Sequence, residues 1–213
     1  MYKLGAIAEK IYNELFTIEN MLAIKKSKNV RGGCIDVTEH FDNFSEGSYI
    51  LVVLNIGNKS KDFSTHFDEE VIGAIITLNI WRKDFLSKTR KENHDYITSI
   101  LIHELCHALD YITTGGKAHC GYDSINILGE GRVKQYALDK MEVNAYIHEL
   151  SAYKRALKKI RSYEDFLNNI LFKISTFSSA YETLSKEDFY DMMKVYFRRM
   201  ARENLLPKCF TKN

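Results

Sequence analysis

The sequence has little that would staple or anchor it. Its four cysteines, Cys34, Cys106, Cys120 and Cys209, are scattered through 213 residues without a Cys-x-x-Cys pair. That spacing argues against a thiolate zinc ribbon and against a disulfide framework, so free thiols are expected. No apolar run is long enough to span a bilayer, and the first ten residues lack the uninterrupted apolar stretch of a signal peptide. A cytoplasmic protein is expected on that basis. A dominant charge is also missing: 30 basic against 28 acidic residues give a net charge of +2, too little to steer the chain toward nucleic acid or a membrane surface. Neither partner is expected.

What is present is ordinary for a globular chain, with 45% hydrophobic and 27% charged residues, and the length allows a sizeable core without disulfide or metal staples. The expected organisation is one domain over residues 1–213, with an N-terminal helix (1–28), a core (29–150) and a helical C-terminal extension (151–213). Ile7, Ile11, Leu15, Ile18 and Leu22 recur at three- and four-residue intervals and predict an amphipathic helix over 3–28. The texture then turns to β-type runs at 33–40, 48–56 and 71–81, which predict a small, three-stranded sheet. Residues 55–64 read as a polar connector and 84–93 as a charged link. Helical patterns follow at 95–112, 133–160, 163–175 and 186–205, and a glycine-containing loop over 113–131 is placed to reach over a site. The fold class expected is α+β.

One segment carries chemistry: His103-Glu104-Leu105-Cys106-His107. Histidines four residues apart on a helix are turned by about 40° and separated by about 6 Å along its axis, so both imidazoles can hold one ion. Glu104 lies about 100° round from His103, where its carboxylate can act as general base toward the attacking water without being a ligand. Ile97, Leu101, Leu105, Ala108, Leu109 and Ile112 supply an apolar flank that anchors the helix. Cys106 points elsewhere and reads as core. A catalytic zinc site has three protein ligands and an open position. Glu142, in Lys140-Met141-Glu142-Val143-Asn144-Ala145-Tyr146, is the third ligand chosen, and small Ala145 permits close helix approach. Asp110, His119, Cys120, Glu130 and His148 remain as rivals, with His148 disfavoured at about 240° round the helix from Glu142. Asp110, three residues beyond His107, suits a supporting hydrogen bond to a ligand imidazole or to nearby backbone, and equally an ordinary helix-end position.

His103-Glu104-x-x-His107 with a downstream Glu142-x-x-Ala145 resembles the gluzincin metallopeptidases. The string His-Glu-Leu-Cys-His-Ala-Leu-Asp, with an acid three residues after the second histidine, is similar to the anthrax lethal factor and Pro-Pro endopeptidase group. The resemblance covers about residues 70–150. It implies a zincin-like core, Zn2+ as cofactor and a peptide or protein substrate. It also implies a tyrosine before the third ligand that steadies the oxyanion. Tyr136 falls six residues before Glu142, one off that group's spacing, and a packing tyrosine is the plain alternative. The resemblance further implies that the strand before the motif helix, 73–79, pairs with the substrate along an exposed edge; its apolar run would equally suit an internal strand.

The activity expected is hydrolysis of a peptide bond, with zinc on His103, His107 and Glu142, Glu104 as general base and Tyr136 as oxyanion donor. Two other readings compete. One is a zinc amide hydrolase of deformylase type, which takes a cysteine ligand from before the motif, where Cys34 is the sole candidate. The other is an inert binding or structural module. The aromatic and methionine residues of the last helices (Tyr163, Phe166, Phe189, Met192, Met193, Tyr196, Phe197) read as packing surface, and Lys194, Arg198, Arg199 and Arg202 as a solvated basic stripe. Another divalent metal in place of zinc remains open.

Overall fold

The structure is a computed structural model that describes residues 4–26, 30–41, 47–57, 62–68, 70–117 and 132–211. Of the loop expected over 113–131, residues 118–131 lie outside the described residues, and with them the rival ligands His119, Cys120 and Glu130. The chain forms two compact units, Met1–His119 and Cys120–Asn213.

The first unit opens with two helices, α1 (Leu4–Leu15) and α2 (Ile18–Lys26), where one was expected. Thr17 is the reason. Its Oγ1 accepts the backbone N–H of Asn20, an N-cap that restarts the helix and breaks its phase. Ile7, Ile11 and Leu15 are accordingly buried, whereas Ile18 and Leu22 of the same predicted stripe are exposed.

Among the described residues the sheet has four strands rather than three: β1 (Val30–Asp36), β2 (Ile50–Gly57), β3 (Asp62–Asp68) and β4 (Gly73–Trp81), in the order β1-β2-β4-β3. β1 is antiparallel to β2, β2 parallel to β4, and β3 antiparallel to β4. The predicted first strand ends early, because Thr38–His40 form a turn of 3-10 helix. β4 is an internal strand, paired along its length on both sides, so the expectation that 73–79 offers an exposed edge is wrong. The missed strand β3 takes the edge instead. Burial on β2 and β4 alternates: Ile50, Val52, Leu54 and Ile56 share one face with their register partners Ala74, Ile76, Leu78 and Ile80. Each of the buried Val, Leu and Ile side chains among them is worth about 1.5–3 kcal/mol relative to exposure.

After a short helix α3 (Arg82–Ser87), the motif helix α4 runs from Arg90 to Thr113, five residues earlier than its apolar pattern suggests. Thr89 and Glu92 form a reciprocal capping box that accounts for the early start. At the other end Gly115, at φ 63, lets the chain turn back, and the N–H groups of Gly115 and Gly116 bond to the carbonyls of Ile112 and Tyr111. α4 packs on α1, β4 and β3. All six residues of its predicted apolar flank are buried, as is Cys106.

The second unit is helical: α5 (Val133–Ala137), α6 (Lys140–Ala152), α7 (Lys154–Leu157), α8 (Tyr163–Asn169), α9 (Ser175–Thr183) and α10 (Lys186–Arg202). The single helix expected over 133–160 is thus three pieces, since Asp139 caps α6 through the N–H of Met141 and interrupts the pattern. Ser162 and Ser185 cap α8 and α10 in the same manner. Tyr146, Leu150, Phe166, Phe177, Met192, Met193 and Tyr196 form the core of this unit. Among the described residues, no helix is long and apolar enough to cross a membrane.

Candidate metal centre and its neighbouring carboxylate

The middle of α4 is buried on every side, and its ionisable residues His103, Glu104 and His107 are only 7–8% exposed. Burying such groups is costly unless they are bonded to something. The helical repeat turns the two imidazoles toward each other, with their Nε2 atoms 3.1 Å apart and the rings inclined at 74°. Two arrangements satisfy that pair: one shared proton between the nitrogens, or one ion taking a lone pair from each. Two zinc–nitrogen bonds of about 2.0–2.1 Å at a tetrahedral angle separate the nitrogens by about 3.3–3.4 Å, so the spacing fits a shared ion with only a small adjustment.

Glu142 lies in the first turn of α6, three residues past the capping Asp139, and is buried. Its carboxylate sits among phenols of the same unit. The hydroxyls of Tyr146 and Tyr196 are both pushed well above the ordinary phenol value. Burial is the main cause for each, with the charge of Glu142 adding to it. Both remain protonated, and Tyr146 is further fixed by a 2.5 Å hydrogen bond with the Thr176 hydroxyl.

His103, His107 and Glu142 form a buried group able to hold a metal ion: each offers one ligand atom, and the three atoms lie within 4.8 Å of one another. Two imidazoles and a carboxylate are a donor set used by catalytic zinc sites. The donors therefore fit the ion that the sequence pattern implies.

Beside them, Glu104 is engaged by a residue that no sequence pattern singles out. Thr65 Oγ1, on β3, donates to Glu104 Oε2 at 2.7 Å and lies 3.3 Å from the backbone oxygen of the same residue. β3 is laid along α4 by its alternate side chains. Phe63 meets Tyr96 edge to face, Thr65 meets Glu104, and Phe67 stacks on Tyr111 with ring centroids 4.1 Å apart. The alternation Phe63, Thr65, Phe67 was the available signal for this strand; the polar residues before it concealed it.

The remaining candidates lie on several elements. Asp110 is partly buried on α4, one turn past His107. Tyr136 is on α5, partly buried against the core of the second unit. His148 is a partly buried residue of α6. Cys34 is an exposed free thiol on β1, at the opposite edge of the sheet from β3. No family model matches the chain, and no curated protein or solved structure matches it either.

Proposed function

We propose that the chain is a metal-dependent peptidase in which His103, His107 and Glu142 hold a divalent ion, zinc in the first instance, and Glu104 serves as general base. The observation that carries this reading is the buried His–His–Glu group with a second, non-ligating carboxylate, that of Glu104, on the same helix as the two histidines. An ion held there supplies Lewis acidity toward a carbonyl oxygen and toward water.

The chain's own residues supply the rest. The apolar walls of α4 limit water around the site and strengthen the electrostatics of the groups inside. Glu104 takes the proton of the attacking water on its carboxylate and returns it to the departing amine, so the residue ends each cycle unprotonated. Tyr136 is assigned the donation of a hydrogen bond to the developing oxyanion, and Asp110 a supporting contact that orients a ligand imidazole. An extended substrate is assigned to the outer edge of β3, beyond which no strand lies among the described residues. Its unpaired backbone groups suit main-chain pairing with a peptide. This edge replaces β4, whose backbone is already paired on both sides.

Elemental mass spectrometry on the full chain beside His103→Ala and Glu142→Ala tests the reading. Near one zinc per chain, lost in both variants, supports the three-ligand site. A peptide-library digest with Glu104→Gln as control then tests hydrolysis. Failure of the chain to bind zinc, even when zinc is added back, overturns the peptidase reading. Zinc binding without any cleavage that depends on Glu104 leaves a metal-binding module.

A further inference from the structure

A buried carboxylate that must accept and release a proton is effective only if it is aimed, and Glu104 has three rotatable side-chain bonds with which to miss. Its rotamer is set from outside its own helix. Thr65 Oγ1 donates to Oε2 at 2.7 Å, a well-formed O–H···O hydrogen bond. The same hydroxyl is 3.3 Å from the Glu104 carbonyl oxygen, so the donor sits over both ends of this one residue. Thr65 is itself held on either side by the contacts Phe63–Tyr96 and Phe67–Tyr111. The strand position is therefore set by packing, and the hydroxyl arrives at the carboxylate as a consequence.

We propose that Thr65 is a positioning residue for Glu104, tying the orientation of the base to the edge strand on which the substrate peptide would lie. The inference rests on the hydrolytic reading above and assigns a specific residue to its control. One carboxylate oxygen is occupied by the Thr65 hydroxyl, which directs the other to the proton in transit. Because β3 carries both the Thr65 side chain and the outer backbone edge, displacement of the strand moves the base with it. Loss of the hydroxyl should impair turnover far more than substrate binding, since the backbone edge of β3 is unchanged by a side-chain substitution.

The test compares Thr65→Val, which keeps the shape and removes the donor, with Thr65→Ser, which keeps the donor. Each full-length chain carries one equivalent of zinc. Two readouts are taken: kcat and KM on a quenched-fluorescent peptide cleaved by the unaltered chain, and the 13Cδ resonance of Glu104, assigned by its loss in Glu104→Gln. Expected for Thr65→Val are a fall in kcat of about 10- to 100-fold, as for other residues that orient a catalytic group, an unchanged KM, an unchanged zinc content and a displaced Glu104 resonance. Thr65→Ser should restore both readouts. Wild-type kcat in Thr65→Val overturns the proposal, and so does a fall in kcat that Thr65→Ser fails to rescue. If the zinc-loaded unaltered chain cleaves nothing, the peptidase reading fails. The resonance then decides the positioning contact by itself: an unmoved signal in Thr65→Val overturns it.

Discussion

The ring of Tyr49 covers Gly73 so closely that a Cβ at Gly73 would fall 2.8 Å from Tyr49 Cδ1 and nearer still to Cε1 and Cζ. The ring is not free to swing away, because the Tyr49 hydroxyl donates to Asp68 Oδ2 at 2.7 Å. Residue 73 opens β4 and is paired with Asp68 at the end of β3. Gly73→Ala should therefore destabilise the chain by about 1–3 kcal/mol, the range for overpacking. Urea unfolding measures the loss. Tyr49→Ala in the same chain should relieve most of it, giving a coupling far from additive.

The Tyr49–Asp68 bond also predicts a pH dependence at both extremes. The hydrogen bond from Tyr49 holds the Asp68 carboxyl below its ordinary 3.8. That contribution is present above the unfolded value and is lost as pH falls through the lower folded value. The same bond raises the Tyr49 phenol above 10, so its contribution is present below the unfolded value and is lost as pH rises through the higher folded one. Tyr49→Phe should consequently lose less stability than the unaltered chain both below pH 3.8 and above pH 10. Thermal melts across that range compare the two slopes.

The capping box predicts a cost for the motif helix as a whole. Thr89→Ala leaves the Glu92 N–H without its side-chain acceptor and should lower stability by about 1 kcal/mol. The histidines lie more than three turns downstream, so the zinc binding proposed for them should be the same in Thr89→Ala as in the unaltered chain. Hydrogen exchange should show the opening confined to the first turn of α4.

Metal binding should itself stabilise the fold. Zinc at one hundred times its dissociation constant raises the unfolding free energy by about 2.7 kcal/mol when only the folded chain binds it. The unaltered chain should melt higher with zinc than with chelator, and His103→Ala should show no difference between the two conditions.

Several features were readable along the chain because they depend on neighbours. The burial of Ile97, Leu101, Leu105 and Ile112 follows from helical periodicity alone. The start of α4 was equally readable, since Thr89 followed by Glu92 three residues later is a capping signature, although the charged residues around it resemble a link. The break at Asp139 is a cap of the same kind, hidden within a continuous helical pattern.

By itself the sequence determined that His103 and His107 face each other and that Glu104 lies beside them, because a helix repeats every 3.6 residues wherever it is placed. Tertiary structure alone decided that β4 lies inside the sheet, that β3 forms its edge, and that Thr65 meets Glu104 across 39 residues of chain. Strand order and cross-element contacts follow from packing between distant segments, and no local pattern encodes which strand will lie along the motif helix.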